Sequence, residues 1–150
     1  MTPMAEIKGG EKLRTYLADL AKKVTAPGTL RVGFLEGSDY EDGTPVAMVA
    51  AIQNFGAPRA GIPPRPFFSN MVKDHRDEWG PQIGKLLQAN DFDATKSLDT
   101  MGERIGDELR QSIQDTNEPP LKPATIARKG FDKPLIDTSV MWKSIDHEIK

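Results

Sequence analysis

His75 and His147 are the two histidines of the chain, and it contains no cysteine. An imidazole titrates near neutral pH, so it can serve as a general base or as a metal ligand. A general base needs a nucleophile and an orienting group beside it, and a histidine metal cluster needs more imidazoles than these two distant ones supply. No GxxxxGK[ST] phosphate cradle, GxGxxG loop, HExxH pair or GxSxG elbow occurs. His75 falls on a helical apolar stripe and His147 alternates with Ile145 and Ile149. Both therefore read as packed or interfacial imidazoles hydrogen-bonded to a neighbour. The acidic run Asp39-Tyr40-Glu41-Asp42-Gly43 lacks the alternating ligands and closing glutamate of a calcium loop and reads as a solvated turn. The expectation is a non-enzyme with no catalytic, cofactor-binding or metal-binding residues. A hydrolase using His75 and a nearby carboxylate is the enzymatic rival.

Other side chains suit binding better than catalysis. Lys122, Arg128, Lys129 and Lys133 make one segment locally basic, but Phe131 is its one aromatic and Asp132 interrupts it. Stacking-based binding of single strands is poorly served by such a segment. A formal charge of -2 gives no bulk attraction to phosphates, so contact with DNA is expected to be incidental. A small nucleic-acid-binding module using Arg59, Arg65, Lys122, Arg128 and Lys129 is the rival from another class. Trp79 and Trp142 read either as core residues or as interface anchors.

The elements that carry these residues follow from periodicity. Leu13, Tyr16, Leu17, Leu20, Ala21 and Val24 share one face of a helix over about 11–24. Leu30, Val32 and Phe34 alternate as a strand with one buried face, followed by a polar loop over 36–44. Thr44 is placed as an N-cap and Pro45 in the first turn of a short apolar helix from Val46 to Phe55, with Gly56 in the left-handed position after it. Four prolines between Ala57 and Pro66 predict an extended, polyproline-like arm. Phe68, Met71, Val72, His75, Trp79, Ile83, Leu86 and Leu87 keep helical phase through Gly80-Pro81, as one bent helix or two nearly collinear ones. Leu98, Met101, Ile105, Leu109 and Ile113 predict a further helix over 94–114. A proline-interrupted loop over 115–134 follows, with a helical turn near Pro123 to Arg128. Asp137 or Thr138 then caps a turn through Met141 and Trp142, before a strand over 145–149.

With 150 residues, 37% of them hydrophobic, the chain suits one domain, 1–150, with a single core and a flexible N-terminus over 1–10. Twelve prolines and thirteen glycines agree with long loops over 36–44, 57–66 and 115–134. The expected fold class is α+β, a small antiparallel or mixed sheet packed by three to four helices. Absence of cysteine fits a reducing cytoplasm. No basic flank with an apolar core opens the chain and no run of about 18 apolar residues occurs, so neither secretion by that route nor a membrane partner is expected.

Three stretches, in order, resemble a family of tailed-bacteriophage tail-completion, neck or head-to-tail joining proteins. Val46-Ala47-Met48-Val49-Ala50-Ala51-Ile52-Gln53-Asn54-Phe55-Gly56 looks like the family's short alanine-rich helix ending in an aromatic and a glycine. Ile62-Pro63-Pro64-Arg65-Pro66-Phe67-Phe68 is similar to its Ile-Pro-x-Arg-Pro-Phe signature. Leu121 to Gly130, followed by Lys133-Pro134-Leu135-Ile136-Asp137-Thr138, resembles its proline-and-threonine loop and Leu-x-Asp-Thr-Gly turn. Asn54 stands where the family usually has glutamate, and Ser139 where it has glycine. The resemblance implies a structural virion protein that joins tail to DNA-filled head in a homo-oligomeric ring, with connector, terminator or tail-tube proteins as neighbours. It implies assembly in the host cytoplasm and then a place in the virion; a tail terminator or other minor tail protein is the alternative. The residues expected to face partners are Phe55, Ile62, Arg65, Phe67, Phe68, Lys122, Arg128, Lys129 and Trp142.

Overall fold

A computed structural model of the chain describes residues 9–25, 28–116 and 140–150. Among them are five α-helices and a two-stranded antiparallel sheet, an α+β arrangement in which helix predominates. The elements run α1 (Gly10–Thr25), β1 (Leu30–Phe34), α2 (Val46–Phe55), a 3-10 turn (Pro58–Ala60), α3 (Phe67–Ala89), α4 (Ala94–Asp115), the single turn α5 (Val140–Lys143) and β2 (Ile145–Ile149). The expected turn near Pro123, the caps at Asp137 or Thr138, Ser139, and the basic residues Lys122, Arg128 and Lys129 lie outside the described residues.

The centre of the fold is α4. Asp93 caps it, its Oδ1 accepting from the Lys96 N–H at 3.1 Å. One of its faces buries Met101, Ile105, Leu109 and Ile113 against α3, and an adjacent face presents Gly102 and Gly106 to the sheet. These small residues let β2 lie close: the His147 ring fills the space over Gly102, and Ile145 Cγ2 would stand 3.6 Å from a Cβ on Gly106. The strands pair Leu30 with Ile149, Val32 with His147 and Phe34 with Ile145. Those alternate residues turn one face toward α4, while Arg31 and Glu148 pair at 3.5 Å on the other. A two-stranded sheet is marginal by itself, so its packing on α4 is what stabilises it.

Around this centre, Val46, Ala50, Phe67, Met71, Met101, Leu109, Ile113, Met141 and Ile145 close the core. Phe34 meets Phe67 edge to face at 6.1 Å between ring centroids. The α3 helix runs unbroken through Pro81, which sits on its exposed side, so the apolar phase read across Gly80-Pro81 belongs to one helix.

Three local expectations are corrected. The N-cap of α2 is Pro45, without a side-chain cap; Thr44 belongs to the preceding turn, its N–H donating to Asp42 Oδ1 at 2.9 Å and its carbonyl accepting from the Tyr40 N–H. Gly56 has positive φ, at 75°, but its ψ of 173° turns the chain away extended rather than into the left-handed helical region. The arm over 57–66 folds back on itself. Pro58 starts a 3-10 turn, Gly61 closes it in the left-handed conformation, and Ala57 and Ile62 exchange backbone hydrogen bonds at 2.8 and 3.1 Å.

Candidate assembly surface

The surface is organised by the end of α2. Asn54 is 4% exposed, and its Oδ1 accepts from the backbone N–H groups of Phe68 and Ser69, both at 3.0 Å. Its Nδ2 donates to Ser69 Oγ at 2.9 Å. These N–H groups belong to the first turn of α3, whose own cap residue, Pro66, offers no side-chain acceptor. Asn54 therefore caps α3 from a different helix. The intervening strap is drawn onto the same place: the Arg65 N–H donates to the Gln53 carbonyl at 2.7 Å, and Arg65 Nη1 approaches Gln53 Oε1 at 3.4 Å. Arg65 is 7% exposed, and desolvation pulls its guanidinium below its ordinary pKa. Gly56 is required at this crossing, because a Cβ there would stand 2.8 Å from Pro64 N and 2.9 Å from the Ile62 carbonyl oxygen.

With the strap held on one side, α2 buries a single stripe, Val46, Ala50 and Asn54, although nearly every residue in it is apolar. Ala47, Met48, Ala51 and Phe55 remain exposed, Phe55 at 73%. Beside them opens an apolar pocket of about 240 Å³ lined by Phe34, Ala47, Ala51, Phe55, Phe67 and Phe68. A helix apolar all round is normally buried all round, and contiguous exposed apolar surface marks an interaction site. The apolar face of α1 is also open: Leu13, Tyr16 and Leu17 are each more than half exposed.

The residues expected to face partners divide between the surface and the interior. Phe55 is exposed, and Ile62 and Phe68 are half-buried. Arg65 is buried against α2 and Phe67 is fully buried in the core, so in this conformation neither presents its side chain to a neighbour. Trp142 is half-buried under the Arg110 guanidinium, 5.7 Å from its ring centroid. Met48, the open face of α1 and the capping role of Asn54 were not among the sequence-based candidates. Met48 could have been found by asking which apolar residues of α2 fall off its buried stripe.

Both histidines have carboxylate neighbours. His147 Nε2 lies 2.7 Å from Asp99 Oδ1, a hydrogen-bonded and largely buried imidazole of the kind expected. His75 Nδ1 lies 3.6 Å from Glu78 Oε2 and 3.7 Å from Glu108 Oε1, beyond hydrogen-bond distance. The acidic run forms a turn: the Gly43 N–H donates to the Tyr40 carbonyl, and Asp42 is fully exposed. No described helix is long and apolar enough to cross a membrane. Comparison with family models, with curated proteins and with solved structures returns no match to this chain.

Proposed function

We propose that this chain is a structural component of a tailed-phage neck, a tail-completion protein that works by packing against copies of itself and against neighbouring connector or tail proteins. The observation that carries the reading is α2, an apolar helix with one buried stripe, whose exposed side adjoins an apolar pocket. Such a surface gains by being covered, and a second copy offering the same helix and pocket supplies apolar cover of matching chemistry. The resemblance of Val46 to Gly56 and of Ile62 to Phe68 to the joining-protein family supports the same assignment. The strap contributes by holding α2 against α3 rather than by reaching out with Arg65.

The test is assembly. The purified chain, alone and mixed with a neck partner, is expected to form species larger than a monomer by mass measurement. Phe55→Ser is expected to reduce association while changing stability by no more than about 0.5 kcal/mol, as for an exposed site. Particles made without the protein are expected to show separate heads and tails in electron micrographs; overlong tails would assign it to termination instead. A chain that stays monomeric with every partner and under every assembly condition would overturn the proposal.

A further inference from the structure

We propose that His75, Glu78 and Glu108 form a binding site for a divalent transition-metal ion, with Zn²⁺ the best match, at the seam between α3 and α4. This site does not depend on the assembly reading. His75 and Glu78 stand one turn apart on α3, Glu108 faces them from α4, and one ligand atom from each lies within 4.8 Å of the others. His75 Nδ1 is shut off from solvent and no described residue gives it a hydrogen bond, although another part of the side chain is exposed. A buried ring nitrogen 3.6 and 3.7 Å from two carboxylate oxygens, and hydrogen-bonded to neither, is a polar group lacking its partner.

The spacing and the donor set suit a borderline transition-metal ion. Four-coordinate zinc, with bonds of about 2.0–2.1 Å, spaces its ligand atoms about 3.3–3.4 Å apart. The two histidine–glutamate separations here, 3.6 and 3.7 Å, exceed that by a few tenths of an ångström. Glu78 is 59% exposed and can swing inward to close the third edge. An octahedral magnesium site needs tighter spacing and oxygen ligands, whereas one imidazole with two carboxylates suits zinc or its borderline neighbours. The Glu108 carboxylate is already oriented: Trp79 Nε1 donates to its Oε2 at 2.8 Å, leaving Oε1 toward His75. An outer hydrogen bond to the far oxygen is how ligating carboxylates are usually held. His75 and Glu108 also line a cleft of about 710 Å³ that reaches Asn70, Asp74 and Ser112, the side from which a water would complete the tetrahedron.

Calorimetric titration of the tag-free full chain with ZnCl₂ near pH 7.5 tests the site. The expected result is saturable binding of one ion per chain, with a rise in the thermal midpoint. His75→Ala and Glu108→Gln should each weaken binding at least tenfold, whereas Asp77→Asn, an exposed carboxylate on the same helix, should leave it unchanged. Circular dichroism identifies any variant that fails to fold; Glu78→Gln, at an exposed position, then carries the test with the same tenfold expectation. Absence of saturable binding by the wild type, or binding that survives His75→Ala or Glu78→Gln undiminished, would overturn the proposal. In the first case the three groups hold no ion and only pack the seam between α3 and α4, and in the second the zinc sits on adventitious carboxylates.

Discussion

Asn54 Oδ1 accepts the backbone N–H of Phe68 at 3.0 Å, so the last turn of α2 caps the first turn of α3 across the proline strap. A cap normally comes from the residue just before its helix; here Pro66 fills that place and the acceptor arrives from 14 residues upstream. The contact ties the two helix ends together as well as satisfying two donors, because Ser69 bonds to the same amide through both its N–H and its hydroxyl.

Asn54→Ala is therefore expected to destabilise the chain by about 1–3 kcal/mol, the range for losing a cap and leaving buried donors unpaired. Asn54→Asp keeps an acceptor for both N–H groups at the α3 N-terminus, but its charge is buried and sits in the last turn of α2, so it should recover only part of the loss. Urea denaturation of the two variants beside the wild type measures the difference. Equal losses would mean that packing volume, not capping, is what the position supplies.

Two helical glycines should respond with opposite signs. At Gly102 an added methyl would run into the His147 ring, which must leave Asp99 to make room, so Gly102→Ala should cost more than about 1 kcal/mol. At Gly84, exposed in the interior of α3, nothing lies within 4 Å of an added Cβ. Gly84→Ala should stabilise by about 0.5–1 kcal/mol through helix propensity and a less flexible unfolded chain. Thermal and urea midpoints on both variants check the pair.

The sheet and α4 were legible in the sequence because each has a strict local period: Leu30, Val32 and Phe34 alternate, and Met101, Ile105, Leu109 and Ile113 recur every four residues. Periodicity shows that a face exists but not what covers it, which is why the apolar side of α1 could be drawn from Leu13 to Val24 and still stand open. The Asn54 cap was not legible, since capping rules inspect a few consecutive residues and this acceptor belongs to another helix. Arg65 misled for a related reason. Prolines on both sides suggest a displayed side chain, but the backbone bond to Gln53 and the close crossing at Gly56 turn it inward.

Asp42 predicts a small acid effect. Its carboxylate titrates below the ordinary carboxylate value because it accepts from the Thr44 N–H and then from the Thr44 hydroxyl, bonds that favour the ionised form. A folded pKa below the unfolded one makes a contribution that is present above the unfolded value and lost as pH falls through the folded value. Asp42→Asn keeps an acceptor but removes the titration, so the wild type should lose slightly more stability than the variant across that acid window. An NMR titration of the Asp42 carboxyl, alongside acid urea midpoints, measures both halves of the claim.

Arg110 holds the end of the chain onto α4, and its removal should loosen β2 before it loosens the helices. Nη2 donates to the Ile145 carbonyl at 2.8 Å, Nη1 pairs with Asp107 at 2.9 Å, and the guanidinium lies over the Trp142 ring. The Asp107 pair is exposed on the carboxylate side and contributes little. The bond to Ile145 and the contact with the indole stabilise more, so Arg110→Ala should cost about 1–3 kcal/mol. Arg110→Lys preserves the charge but cannot reach a carbonyl and a carboxylate from one planar group while lying on a ring, so it should recover only part of the loss. Amide exchange distinguishes the mechanism. In both variants the amides over 145–149 should exchange faster relative to those of α3, since the lost anchor acts on the α5–β2 segment through Trp142 and Ile145. A uniform acceleration across α3 and β2 would mean that Arg110 stabilises the whole core rather than this strand.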